Sequence, residues 1–230
     1  MSSSQSFDQT WERDIYARGK QMNRWPFDAV VSFLFRHAPK NRPRSQVRVL
    51  EVGCGTGNNL WCAAREGFDT TGIDGSPTAI ERARELLAAE DLKADLHVVD
   101  FTKLPFPDAS FDLAIDRCAL SCVGRSAAQR ALGELARVLK PSGRLFFNPY
   151  SDRHTSARSG RVGPDDLMLD VAAGSLVGCG QLCFWNAKQV TAALVEDWRV
   201  LSRQHVEFEE QERPAREIHA EWRLVLEKVA

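Results

Sequence analysis

Between Val47 and Phe147 the chain alternates short apolar, β-branched runs with longer segments of helical spacing. That rhythm constrains its fold more than any other feature. Val47–Gly53 (VRVLEVG) reads as a buried strand ending in glycines, and Asn58–Glu66 as a helix stopped by Gly67. Asp69–Asp74 is a second strand. Ser76 then caps a helix over Thr78–Ala89 with Pro77 at its first position. Leu96–Asp100 and Phe111–Asp116 are strands three and four, and Ala127–Leu139 is a helix. Lys140-Pro141-Ser142-Gly143 reads as a stop and turn before strand five, Arg144–Phe147. Strands alternating with helices predict right-handed βαβ units, hence a doubly wound α/β domain with a parallel sheet covered on both faces. After an irregular stretch over 150–180 the rhythm resumes with a helix, Ala187–Glu196. Two β-like runs follow, Trp198–Glu210 and Ile218–Val229. The turn-prone Glu212-Arg213-Pro214 between them predicts an antiparallel hairpin at the sheet edge.

Composition removes several classes. Of the 230 residues 43% are apolar, enough for one large core and too many for a disordered chain. With 30 Lys plus Arg against 31 Asp plus Glu, the net charge of −1 gives no overall field to draw in nucleic acid. No apolar run approaches the roughly 18 residues of a membrane span. The charge is uneven, however. Residues 1–46 carry eight basic and four acidic side chains, and residues 200–230 five and seven. The opening MSSSQS lacks the pattern of a signal peptide and reads as a short disordered tail of a cytoplasmic protein. Cys54, Cys62, Cys118, Cys122, Cys179 and Cys183 then read as reduced, mostly buried thiols. Their spacing is not that of a zinc ribbon, and no metal site is expected.

Three acidic positions stand at the carboxyl ends of successive strands, where open α/β sheets bind ligands. The first is Glu51-Val52-Gly53-Cys54-Gly55-Thr56-Gly57, whose evenly spaced glycines differ from the GxGxxG of a dinucleotide fold. A carboxylate at Glu51 would repel a pyrophosphate but suit a cationic amino-acid or sulfonium ligand. The second, Asp74, is placed to accept hydrogen bonds from both hydroxyls of a ribose. The third, Asp100-Phe101, offers an acceptor for an adenine amino group beside an aromatic edge. Each alone also suits a structural role, as chain reversal, helix cap or solvated acid. Their coincidence favours one joint site.

These motifs, with LPFPDASFDLAI and VLKPSGRL further on, resemble the class I S-adenosylmethionine-dependent methyltransferases, in particular the small-molecule branch, over about residues 47–149. The resemblance implies a seven-strand sheet of order 3-2-1-4-5-7-6 with strand seven antiparallel, agreeing with the hairpin read above. It implies that Glu51, Gly53, Cys54, Gly55 and Gly57 hold the methionine and ribose portions of the cofactor. Asp74 would take the ribose hydroxyls, Gly75 and Ser76 would lie near the adenosine, and Asp100 and Phe101 would flank the adenine. Asp116, Arg117 and Cys118 would lie under the sulfonium. Residues 1–46 would form a helical lid on a domain of residues 47–230, with a substrate cap inserted at about 150–180. Tyr16, Gln21, Asn23 and Arg24 of the lid, with Arg153 and Arg158 of the insertion, are candidates for the substrate or the cofactor carboxylate. His154, whose side chain titrates near neutrality, is the first candidate for a general base, with Tyr150 and Asp152 as alternatives. Asn148-Pro149-Tyr150 is taken as a strand exit.

The function expected is methyl transfer to a small-molecule acceptor such as a sugar, acid or natural-product intermediate. The basic first 46 residues keep methylation of a protein or RNA open. A cofactor-binding protein without turnover, or one that activates a partner, is a third reading, and a nicotinamide dehydrogenase a distant fourth. Monomer and homodimer both remain open.

Overall fold

A computed structural model describes residues 7–194, 196–212 and 216–229. The tail read at MSSSQS, and Arg213 and Pro214 of the predicted turn, lie outside them. The helical rhythm is realised as a seven-strand sheet whose strands come in the following order. They are β1 (Arg48–Val52), β2 (Asp69–Asp74), β3 (Asp95–Val98), β4 (Phe111–Arg117) and β5 (Leu139–Asn148), then the hairpin. Three short strands, β6 (Arg161–Val162), β7 (Leu167–Leu169) and β8 (Leu182–Cys183), form a separate antiparallel sheet. The hairpin is β9 (Trp198–Glu210) and β10 (Glu217–Lys228). The order across the large sheet is β3-β2-β1-β4-β5-β10-β9, which is the predicted 3-2-1-4-5-7-6. β10 runs antiparallel to both β5 and β9, and the other pairs are parallel.

The helices are α1 (Asp28–His37), α2 (Asn58–Arg65), α3 (Pro77–Ala88), α4 (Arg125–Val138) and α5 (Ala187–Ala192). Successive strand side chains point to opposite faces, so the sheet has two cores. Leu50, Val52, Ala114, Leu145 and Phe147 face α4 and α5. Val49, Leu113, Ile115 and Phe146 face Val30, Phe33 and Leu34 of α1. Continuous apolar strands are what a sheet buried on both sides requires. Ser76 caps α3 through its Oγ, which accepts the Ala79 N–H at 3.0 Å.

Several boundaries move. Lys140–Gly143 does not separate helix from strand but lies within β5. Leu139 already pairs with Phe111, Ser142 takes φ +61°, and Arg144 resumes the register opposite Leu113. The turn chemistry was legible, but the sheet pairs on both sides of it and makes it a bulge. α5 ends at Ala192, short of Glu196. The stretch over 150–180 contains the 3-10 turn Thr155–Arg158 and most of the small sheet, which reaches Cys183. All six cysteines are free thiols. No helix among the described residues is long and apolar enough to cross a membrane.

Candidate active site

The cleft over the carboxyl ends of β1, β2 and β4 encloses about 630 Å³. Its floor comes from the strand ends Gly53, Asp74, Gly75 and Arg117, followed by Cys118 and Ala119. Phe101, Cys122, Val123 and Tyr150 form the sides, and Phe7, Asp8, Trp11 and Tyr16 close it from above. The floor depends on small residues. A Cβ on Gly53, which has φ +63°, would sit 2.2 Å from Ala119 Cβ, and one on Gly75 would sit 2.2 Å from the Phe7 ring. Backbone therefore takes the place of side chains where a ligand approaches.

The carboxylates behind this floor are buried with few cations beside them. Asp74, 5% exposed, accepts the N–H groups of Gly55 and Ser76 at 2.9 Å each, and burial pushes it up to about 6. Glu51 is 1% exposed. Its Oε1 accepts Asn59 Nδ2 at 2.7 Å while Oε2 has no partner, and burial pushes the acid up to about 8. Asp116 is fully buried, ties the turn after β4 by accepting Leu120 N–H at 2.9 Å, and is raised to about 6 by burial. Glu51 and Asp116 thus support the floor from behind. Cys54 packs with Leu60 and Ile80, Ser76 is committed to its cap, and Asp100 turns its Oδ1 to the Thr102 N–H and hydroxyl. None of these, nor Gly55 or Gly57, lines the cleft itself.

The roof comes from residues that the sequence reading largely passed over. The π-helical turn Trp11–Tyr16 is clamped to the start of α3 by Glu12, whose carboxylate accepts from the Ser76 and Thr78 hydroxyls and the Thr78 N–H. These contacts outweigh its burial and hold Glu12 below the ordinary carboxylate range. Asp8 reaches the segment before β8 by accepting Gln181 N–H at 2.8 Å. Phe7, Asp8 and Glu12 lie next to the stretch read as a tail.

Several expected site residues stand elsewhere. Gln21, Asn23 and Arg24 are exposed, and Arg24 pairs with Glu90 at 3.1 Å. The chain just beyond is pinned to α2, since Asn58 donates to the Trp25 carbonyl and Asn59 accepts Phe27 N–H. This carries residues 21–24 away from the cleft. Arg153 is exposed and pairs with Glu207 at 2.7 Å, and Arg158 is exposed as well. His154 is completely buried behind Tyr150 and lines no part of the cleft. Its Nδ1 accepts Ser156 N–H at 3.0 Å, so the neutral ring carries its proton on Nε2, facing His219 Nδ1 at 3.3 Å. Burial, then His219, lowers it to about 4. Tyr150 does line the cleft, its phenol pushed well above the ordinary range by burial.

A glycine-floored cleft at the carboxyl edge of this sheet, with strand seven reversed, defines the class I methyltransferase fold. Residues 49–143 match the family described as a methyltransferase domain. The malonyl-[acyl-carrier protein] O-methyltransferase of Erwinia pyrifoliae is 35% identical over 156 residues, covering 62% of this chain and 55% of its own length. A solved S-adenosylmethionine-dependent methyltransferase from Methanosarcina mazei superposes with TM-score 0.70 at 21% identity, over 89% of this chain and 99% of its own. The 1,6-didemethyltoxoflavin-N1-methyltransferase of Burkholderia thailandensis, solved with S-adenosylhomocysteine, gives TM-score 0.60 at 19% identity over 88% and 77%. The chain spans roughly half the length of the first curated relatives it matches, between 41% and 58%. Residues 49–143 are thus similar to a methyltransferase domain, and the sheet has the fold of solved S-adenosylmethionine-dependent methyltransferases. The cofactor fits the residues present: a buried, unpartnered Glu51 oxygen beside the glycine turn suits a cationic ligand. The Asp74 carboxylate reaches the cleft with acceptor capacity left over.

Proposed function

We propose that this protein transfers a methyl group from S-adenosylmethionine to a small-molecule acceptor bound under the Phe7–Tyr16 roof. The observation that carries this reading is a partly covered cleft, lined by Phe7, Trp11, Tyr16, Phe101 and Tyr150, that also brings together Gly53, Asp74 and Arg117. A cleft of this size suits small ligands, and the near-balanced charge of the chain gives no overall field to draw in a nucleic acid. The named relative acting on malonyl-[acyl-carrier protein] and the toxoflavin-precursor enzyme favour acceptors of low molecular mass at the reacting end. Free thiols fit a reducing, cytoplasmic setting.

The cofactor brings a methyl group already activated on a sulfonium sulfur. The chain's own residues bind, orient and exclude water. In this reading Asp74 holds the ribose hydroxyls, Gly75 and Phe101 border the adenosine, and Gly53 with Gly55 and Gly57 admits the methionine portion. Glu51, raised to about 8 by burial in the ligand-free protein, would supply negative charge from behind the floor as a cationic ligand favours its ionised form. Trp11, Tyr16 and Phe7 keep solvent out, and such orientation is worth about 7–11 kcal/mol of barrier. The test is calorimetric titration with S-adenosylhomocysteine, followed by single-turnover transfer of labelled methyl into a deproteinised cell extract. Absence of S-adenosylhomocysteine binding would overturn the reading. Label appearing only in protein or RNA would favour the macromolecular alternative.

A further inference from the structure

The acceptor side of the cleft has one permanent charge, Arg117. Its guanidinium is 15% exposed, lies over the Phe27 ring with 4.1 Å to the centroid, and donates to Cys118 Sγ. The Tyr150 hydroxyl is within its reach as well. Among the described residues its nearest carboxylate outside the cleft floor is Glu221, 3.6 Å from Nη2 and 1% exposed. That carboxylate does not belong to Arg117 alone. Oε1 accepts Arg223 Nε at 2.6 Å, and Oε2 faces His219 Nε2 at 3.3 Å. The proton that His154 carries on Nε2 faces both His219 Nδ1 and Ser175 Oγ at 3.3 Å, and His219 Nε2 faces Glu221 Oε2 at the same distance. Glu221 is thus held in place from behind and shared between two guanidinium groups, so the charge of Arg117 is only partly offset. Arginine has five N–H donors, and the contacts above leave some of them for a ligand.

The same cleft holds no ready proton acceptor. Among the described lining residues there is no histidine or lysine. In the proposed reading Asp74 is occupied by the ribose hydroxyls, and Asp8 holds the Thr10 and Gln181 N–H groups at the roof. Burial raises the phenols of Tyr16 and Tyr150 and the thiols of Cys118 and Cys122 above their ordinary ranges. An acceptor that must lose a proton to react is poorly served here, whereas one that arrives as an anion meets a matching cation.

We infer that the acceptor is a carboxylate held by Arg117, methylated on oxygen to give a methyl ester without a general base. One carboxylate oxygen lies against the guanidinium while the other forms the bond to the methyl carbon. The carbon–sulfur bond breaks with its electron pair left on sulfur, the sulfonium becomes a neutral thioether, and no proton moves. Glu221, His219 and His154 are positioning residues that act through Arg117. The inference rests on the methyl-transfer reading, and it replaces the expectation that Arg153 and Arg158 meet an acidic substrate.

The test compares benzoate with benzamide, an uncharged probe of the same shape suited to the aromatic walls, each titrated into protein saturated with S-adenosylhomocysteine. Benzoate is expected to bind at least about tenfold more tightly, the scale of one charge-assisted hydrogen-bond pair. Arg117→Met should reduce the preference below about twofold, and Arg117→Lys, which keeps the charge but not the planar fork, should retain part of it. Unchanged circular dichroism and thermal melting of both variants certify the fold. Equal binding of the two probes to the wild type, with S-adenosylhomocysteine bound, overturns the carboxylate assignment alone. Failure to bind S-adenosylhomocysteine overturns the methyl-transfer reading itself. In the extract assay, labelled product should release volatile methanol in alkali, as esters do, and alkali-stable label would overturn the inference.

Discussion

β4 carries an aspartate near each end, and the two are treated in opposite ways. At the amino end, Asp112 is 5% exposed and fully served: Arg42 donates to Oδ1, Lys140 lies 2.9 Å away, and the Arg48 N–H donates to Oδ2 at 2.9 Å. At the carboxyl end, Asp116 is completely buried and bound mainly to backbone N–H groups, like Asp74 on the neighbouring strand. One end of the sheet uses its carboxylate to close the structure. The other keeps Glu51, Asp74 and Asp116 buried with little positive charge, a cost borne where a cationic ligand can offset it.

The largest effect should come from the closed end. Asp112→Ala leaves two cations and a backbone N–H without their acceptor and should cost about 3–5 kcal/mol in denaturant unfolding. The S-adenosylhomocysteine affinity of the folded fraction should not change, and a loss of affinity would erase the distinction between the ends. Gly53→Val meets Ala119 and a left-handed backbone position, and about 2–4 kcal/mol of destabilisation is expected together with lost cofactor binding. Asp74→Ala should weaken S-adenosylhomocysteine by at least about tenfold with a smaller change in stability. Equal losses in the two measurements would make Asp74 a structural residue like Asp112.

The pH dependence follows from the raised acids. A carboxyl raised above its unfolded value binds more protons when folded, so ligand-free stability falls as pH climbs from the ordinary carboxylate range through about 8, the value for Glu51. Glu51→Gln should flatten that decline in thermal melts recorded from pH 5 to 9. It should also weaken S-adenosylmethionine by about tenfold at pH 8, because the negative charge is gone. A decline of unchanged slope would mean that Glu51 does not carry it. The smallest effect is expected at Arg153 and Arg158, where alanine should change stability and turnover by less than about 0.5 kcal/mol.

The sheet was legible because its residues state their own periodicity. Val49 and Leu50, or Leu145 and Phe146, are apolar on both faces, and only a sheet covered twice can bury them. The glycine and aspartate side of the cleft was legible for a related reason: Gly53 follows β1 directly and Asp74 ends β2, so local sequence nearly fixes their positions. The roof was not. Asp8 meets Gln181, and Glu12 meets Ser76, across separations of 173 and 64 residues that no local pattern encodes. His154 looked available by its chemistry, yet the stacking of Tyr150, Phe184 and His219 around it seals it off.

The sequence by itself determined the alternation of strands and helices, the final hairpin and the line of carboxylates at successive strand ends, because hydrophobic periodicity and glycine spacing act over a few residues; the strand order came only with the family resemblance. The tertiary structure alone decided which charges face the cleft. It turned Arg24, Arg153 and Arg158 outward, set Arg117 in the cleft and made His154 a buried strut. Whether a charged group meets ligand, solvent or another charge depends on contacts between distant segments, and desolvation then fixes its protonation.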